Sequence, residues 1–200
     1  MSQDLPALAS NLAATLDYQG TDLVETLKAT AFNTNSDISD AQMSALILVA
    51  QAHKLNPFTK EIYAFPQNNG IVPVVSVDGW LKIINQHPQM DGLEFEHAPD
   101  GSWCTAIIWR KDRSRPTKAT EFLAETARQT ETWRKYPQRM LRHKAVIQAA
   151  RMAFGFAGFY DPDEAEKIKE GDQEGFQERT RKVRDISELT GEVLEHGGDS

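Results

Sequence analysis

From Thr132 to Tyr160 the chain contains no aspartate or glutamate, and inside this stretch lies RKYPQRMLRHKAVIQAAR (134–151), the core of the longest helix candidate. The helical spacing runs over 134–156, opened near Pro137 because the residue before a proline avoids helical geometry. Gly155 and Gly158 end the helix or its last turn. Such a segment has few ways to fold. Leu141, Ala145, Ala149 and Met152 recur at a spacing that suits packing. Lys144, Gln148 and Arg151 share a neighbouring face, and Arg139, Arg142 and His143 widen it. A helix anchored by apolar side chains while presenting spaced cations suits a phosphate backbone, which needs only fixed point charges or guanidinium forks. The same residues also admit a plainer reading, a surface helix whose cations pair with acidic flanks.

Charge along the chain favours the first reading. The net charge of -7 hides a segregation: 4 Lys+Arg against 12 Asp+Glu in 1–102, 12 against 4 in 103–160, and 6 against 13 in 161–200. A polyanion responds to the local field of a basic patch, not to the chain total. A basic band between two acidic flanks therefore points to a nucleic-acid surface, with a solvated charged surface as the alternative. Trp103, Trp109, Trp133 and Tyr136 interleave with these cations. Aromatic rings beside cations can stack unpaired bases, although strand aromatics more often face the interior.

The rest of the chain reads as a mixture of helices and short strands. Apolar residues at helical spacing mark 5–16 and 22–32, the second capped by Asp22. Ser39 and Gln42 match a capping box ahead of a stripe of Met43, Leu46, Ile47 and Ala50. A hairpin follows, 61–65 and 71–77 around Asn69-Gly70, with Pro73 placing the second strand at a sheet edge or a bulge. Asp78 is the expected cap of a helix over 79–86. Strands are expected at 93–97, 103–110 and 117–122, and a short acidic helix from Asp161 to about Glu170. The fold class is α+β: a small antiparallel sheet and a hairpin packed with several helices, including the long basic one. With 40% hydrophobic residues in 200, the chain supports one compact domain over 1–170 and a charged, flexible tail over 171–200. The single Cys104 forms no internal disulfide and fits a reducing compartment as a buried thiol. No apolar run of about 18 residues and no signal-like start is present, so a soluble, cytoplasmic protein is expected.

Enzyme signatures are absent from the sequence. There is no GxxxxGK[ST] loop for ATP, no HExxH and no paired-cysteine metal site, and His53, His87, His97, His143 and His196 lack ligand spacing. Asp78, Asp91, Glu94 and Glu96 resemble the carboxylates of a divalent-metal nuclease, but Glu94 and Glu96 alternate along one strand face as solvated residues do. The expectation is a non-enzymatic binding protein with no catalytic residue, no cofactor and no protein metal site, Mg²⁺ acting only through DNA. A metal-dependent nuclease and a passive single-strand coat are the alternatives.

The runs LNPFTKEIYAFP (55–66), GIVPVVSVDGW (70–80), RMLRHKAVIQAARMAFGFAGFYD (139–161) and DEAE (163–166) resemble the Redβ/RecT family of phage single-strand annealing proteins. The resemblance covers about 23–168 and rests on several long runs in one order. It implies an α+β core that binds single-stranded DNA, anneals it to a complement without ATP, and assembles as a homo-oligomeric ring or helical filament on the annealed duplex. It implies a cognate 5′–3′ exonuclease and a host single-strand-binding protein as partners in a bacterial cytoplasm. The positions it assigns to DNA contact are Lys60, Arg139, Lys144 and Arg151, with Arg142 and His143 adjacent. Where the family carries lysines, this chain has Gln138 and an uncharged residue at Asn68 or Asn69. The connection between Thr120 and Pro137 is shorter than the family's, and the C-terminal helical domain that recruits the partners has no clear counterpart after Gly171. A truncated form, or partner contacts placed elsewhere, is the expectation there.

Overall fold

The computed structural model describes residues 5–18, 22–32, 37–67 and 70–168. The chain divides into two compact units, Met1–Pro162 and Asp163–Ser200. In the first, the helices are α1 (Leu5–Thr15), α2 (Leu23–Ala31) and α3 (Asp40–His53), followed by a hairpin of β1 (Ile62–Gln67) and β2 (Gly70–Val75). Then come α4 (Val77–Gln86), the strands β3 (Met90–His97), β4 (Trp103–Arg110) and β5 (Thr117–Phe122), and α5 (Leu123–Thr126), α6 (Glu131–Lys135) and α7 (Pro137–Phe154). A short helix occupies 162–168, and the expected tail over 171–200 lies outside the described residues.

Local chemistry sets the boundaries. Asp22 accepts the Glu25 N–H at the head of α2, and Ser39 and Gln42 form the reciprocal capping box of α3. The expected cap at Asp78 is corrected. The Ser76 hydroxyl accepts the Gly79 N–H instead, so α4 begins at Val77 and β2 stops at Val75. Ser76 sits in extended geometry, as a capping residue must, whereas Asp78 lies inside the first turn. Pro73 pairs with Ala64 in an unshifted hairpin register. Its carbonyl accepts the Tyr160 N–H at 3.0 Å, so its polar groups face away from β1 and its missing N–H removes nothing from the β1–β2 ladder.

β3, β4 and β5 form an antiparallel sheet with β4 central. Cys104, Ala106 and Ile108 of β4 join Leu141, Ala145, Ala149 and Ala153 of α7 in one buried cluster. Small alanines on the helix let it approach the sheet closely. The same cluster takes in Leu8, Leu27, Met43, Leu46 and Ile47 from the N-terminal helices and Trp80 from α4.

Two histidines lie against this core. The His53 ring meets Phe159 edge-on at 4.8 Å, and His87 lies 4.2 Å from the Phe154 ring while its Nδ1 accepts the Gln89 N–H. Burial pushes both imidazoles below the ordinary histidine value, and nearby Arg110 adds to this at His87. A depressed folded value means that stability is complete above the unfolded value of about 6.5 and declines as the pH falls below it. The melting temperature is therefore expected to drop between pH 7 and 5, and a His53→Phe variant to show a flatter profile. An identical decline in that variant would remove His53 from the account.

Candidate nucleic-acid interface

Helix α7 starts where the sequence opens it. Tyr136 closes α6 through its N–H to the Thr132 carbonyl and precedes Pro137 at the first position of α7. The helix ends at Gly155, in the left-handed region at φ 73°, with its N–H on the Arg151 carbonyl. The buried side turns along its length. Leu141 is buried, but Met152, eleven residues on and on the same face, is 56% exposed. Arg142 is exposed, but Ala149, seven residues on, is buried. Met152 is thus not the packing residue that its spacing suggests.

This geometry sorts the expected contact residues into two groups. Arg139 and Arg142 are exposed, each with its guanidinium over an aromatic ring: Arg139 at 4.8 Å from Tyr136, Arg142 at 5.8 Å from Phe95. His143 is half-buried. Lys144 and Arg151 turn inward. The Lys144 ammonium lies 2.5 Å from Oδ1 of Asp161, which is 1% exposed. At Lys144 the plainer reading of cations paired with an acidic flank therefore holds: the chain reverses after Gly155, and the first carboxylate beyond the acid-free stretch pairs with Lys144. Arg151 lies 5.3 Å above the Trp80 ring and donates to the Phe159 carbonyl. Lys60 is exposed on the turn entering β1, at φ 57°, beside a cleft of about 520 Å³ that Thr30, Phe32 and Tyr63 also line.

A further basic element is the turn between β4 and β5, which carries exposed Lys111, Arg113 and Arg115. Arg110 grips Asp112 through two bonds, Nε to Oδ1 at 2.8 Å and Nη2 to Oδ2 at 2.6 Å. That fork holds the Asp112 carboxyl below the usual carboxylate range. The remaining Nη1 of Arg110 donates to the Ala153 carbonyl in the last turn of α7, and its guanidinium lies over Phe154. A cation at a helix C-terminus complements the dipole there. The turn is thus fixed to the end of α7. RKDRSR (110–115) was visible as charge in the sequence, but the bond to Ala153 is a tertiary contact.

The interleaved aromatics separate cleanly. Trp133 is buried, Trp103 and Trp109 are half-buried, and Tyr136 is 50% exposed. Cys104 is buried, and burial raises its thiol above the ordinary value. Among the described residues no three His, Cys, Asp or Glu side chains converge as a metal site, so Asp78, Asp91, Glu94 and Glu96 are not brought together as one. Among those residues no helix is long and apolar enough to cross a membrane.

These features define an α+β protein with a basic helix and a basic turn on its surface. The RecT family profile matches residues 20–178. The chain is also 47% identical over 209 residues to the recombination protein bet of Escherichia phage lambda, a match covering 98% of this chain and 78% of that protein. The chain belongs to the RecT family.

Proposed function

We propose that this chain is an ATP-independent annealing protein of phage-type recombination, which holds single-stranded DNA along its basic surface and pairs it with a complement. The observation that carries this reading is the family membership, with a lambda relative named as a recombination protein. The arrangement of the cations supports it. Exposed Arg139 and Arg142, with His143 beside them, Lys60 on its turn, and Lys111, Arg113 and Arg115 on theirs, supply point charges and forks for phosphates. Lys144 and Arg151 belong to the same site and hold the segment after α7 in place, whether or not they also reach phosphate.

Annealing by such a surface needs no bond chemistry. Phosphate contacts fix the backbone of one strand and leave its base edges free. A second strand, screened from the first by the same cations, is retained only when it pairs. Copies repeating along one strand as a ring or filament multiply a weak contact into avidity. A cognate 5′–3′ exonuclease that makes the strands and a host single-strand-binding protein are the further partners this role calls for.

The test is to add two complementary fluorescent oligonucleotides in sequence, with and without protein and with no ATP. Faster pairing with a surviving protein–duplex complex is the expected result. Tight single-strand binding that slows pairing would make the protein a passive coat, and Mg²⁺-dependent loss of label would make it a nuclease. For about four phosphate contacts, log affinity should fall with log salt at a slope near -3, and Arg142→Ala should reduce that slope by about 0.7. An unchanged slope in Arg142→Ala would take Arg142 out of the contact set.

A further inference from the structure

We propose that Tyr136, backed by Arg139, is a stacking site for an unpaired nucleobase. The inference rests on the annealing reading above and adds to the phosphate contacts a contact with the base itself. Tyr136 occupies the break between α6 and α7, and half of its surface is open to solvent. A tyrosine on a packed helix face would bury its ring; this one is left out although Trp133, three residues earlier, is 2% exposed. The Arg139 guanidinium lies 4.8 Å from the ring centroid, so ring and cation form a stacked pair. One turn further along α7, Arg142 repeats the arrangement over Phe95, whose ring is itself stacked with that of exposed His97 at 6.3 Å.

The chemistry of that surface is specific about its ligand. A bare phosphate has no use for an aromatic ring, and a duplex keeps its base faces covered by its own stacking. An unpaired base offers a π-face to Tyr136 while the Arg139 fork remains available to the adjoining phosphate. Stacking engages the face of the base and leaves its Watson–Crick edge free, so a strand held this way can still pair. The Tyr136 side chain makes no capping hydrogen bond, so replacing it leaves the helix ends intact.

The test uses the full chain and an oligothymidylate carrying one 5-iodouracil, photocrosslinked and mapped by mass spectrometry, beside Tyr136→Leu and Tyr136→Trp variants. The expected crosslink falls on Tyr136. Tyr136→Leu should bind roughly 5- to 100-fold more weakly with an unchanged salt slope, because no phosphate contact is lost, and Tyr136→Trp should restore binding. Equal melting temperatures of the variants would exclude a folding effect. Crosslinks elsewhere, or Tyr136→Leu binding as the parent does while Arg142→Ala weakens it, would overturn the stacking site and leave the annealing reading standing. A parent that binds no single strand would overturn both.

Discussion

Replacing Lys144 with methionine is expected to destabilise the protein by about 3 to 5 kcal/mol, and the double variant Lys144→Met/Asp161→Leu to recover most of that loss. The Asp161 carboxylate is 1% exposed and its Oδ1 lies 2.5 Å from the Lys144 ammonium. Deleting the cation leaves the charge that it compensates in an environment where desolvation costs several kcal/mol per ion. Removing both charges in apolar residues of similar size removes the desolvation cost together with the attraction, so the net effect is small. For a domain of this size the single variant should melt about 10 °C lower. Urea unfolding of the two single variants, the double variant and the parent gives the coupling directly. Additive losses would mean that the pair contributes no coupling. The double variant also settles what Lys144 does for DNA. If it folds and binds single strands as the parent does, Lys144 is a structural cation. If it folds and binds more weakly, Lys144 contacts phosphate in spite of its burial.

That pair marks the limit of what the sequence could convey. The extent of helix α7 was legible because Pro137 opens it and Gly155 ends it. The capping box of Ser39 and Gln42 and the cap at Asp22 were legible because they are local, three residues from donor to acceptor. The hairpin followed from alternation and its turn residues, and the three later strands were legible as segments, whereas their pairing into one sheet was not. What failed were statements about partners distant in the chain. Lys144 reaches Asp161 only because the chain reverses after α7 at left-handed Gly155 and Gly158, and spacing on a helical wheel carries no information on that. Met152 was assigned to packing by a wheel that assumes one covering surface, whereas the buried side of α7 turns along its length. Ser76 and Asp78 both suit a cap, and the choice between them depends on where the extended backbone of β2 ends, since the capping residue is the last one before the helix turn. Of the site residues, Arg139 and Arg142 stand where a surface reading puts them, while Arg110 shows its role only through the Ala153 carbonyl.

Gly79→Ala is expected to destabilise the protein by about 3 kcal/mol or more, against the sign that helix propensity gives. In an exposed helix interior the same change stabilises by about 1 kcal/mol. Here a methyl group on Gly79 would stand 2.2 Å from the Glu61 carbonyl oxygen and 2.8 Å from Cγ1 of Val75. The first obstacle is backbone, and it is held from several sides. The Glu61 carbonyl accepts the Ser76 N–H at 3.1 Å, and the Glu61 carboxylate takes the Asn56 N–H at 2.7 Å and the Lys82 ammonium at 2.6 Å. Relief would require α4 to move off the turn, which costs packing at Trp80 and Ile84, both fully buried on that helix. The turn that would have to yield is the one presenting Lys60, so the effect should extend to DNA. Under conditions where the variant is still folded, its single-strand affinity should fall, though no further than that of Lys60→Ala, since a displaced turn moves the lysine without deleting it. Thermal unfolding and binding titrations of Gly79→Ala, Lys60→Ala and the parent provide the comparison. A more stable Gly79→Ala would mean that the approach of α4 to the Glu61 carbonyl is looser than a glycine requires, and that the position of Lys60 is set by the hairpin alone.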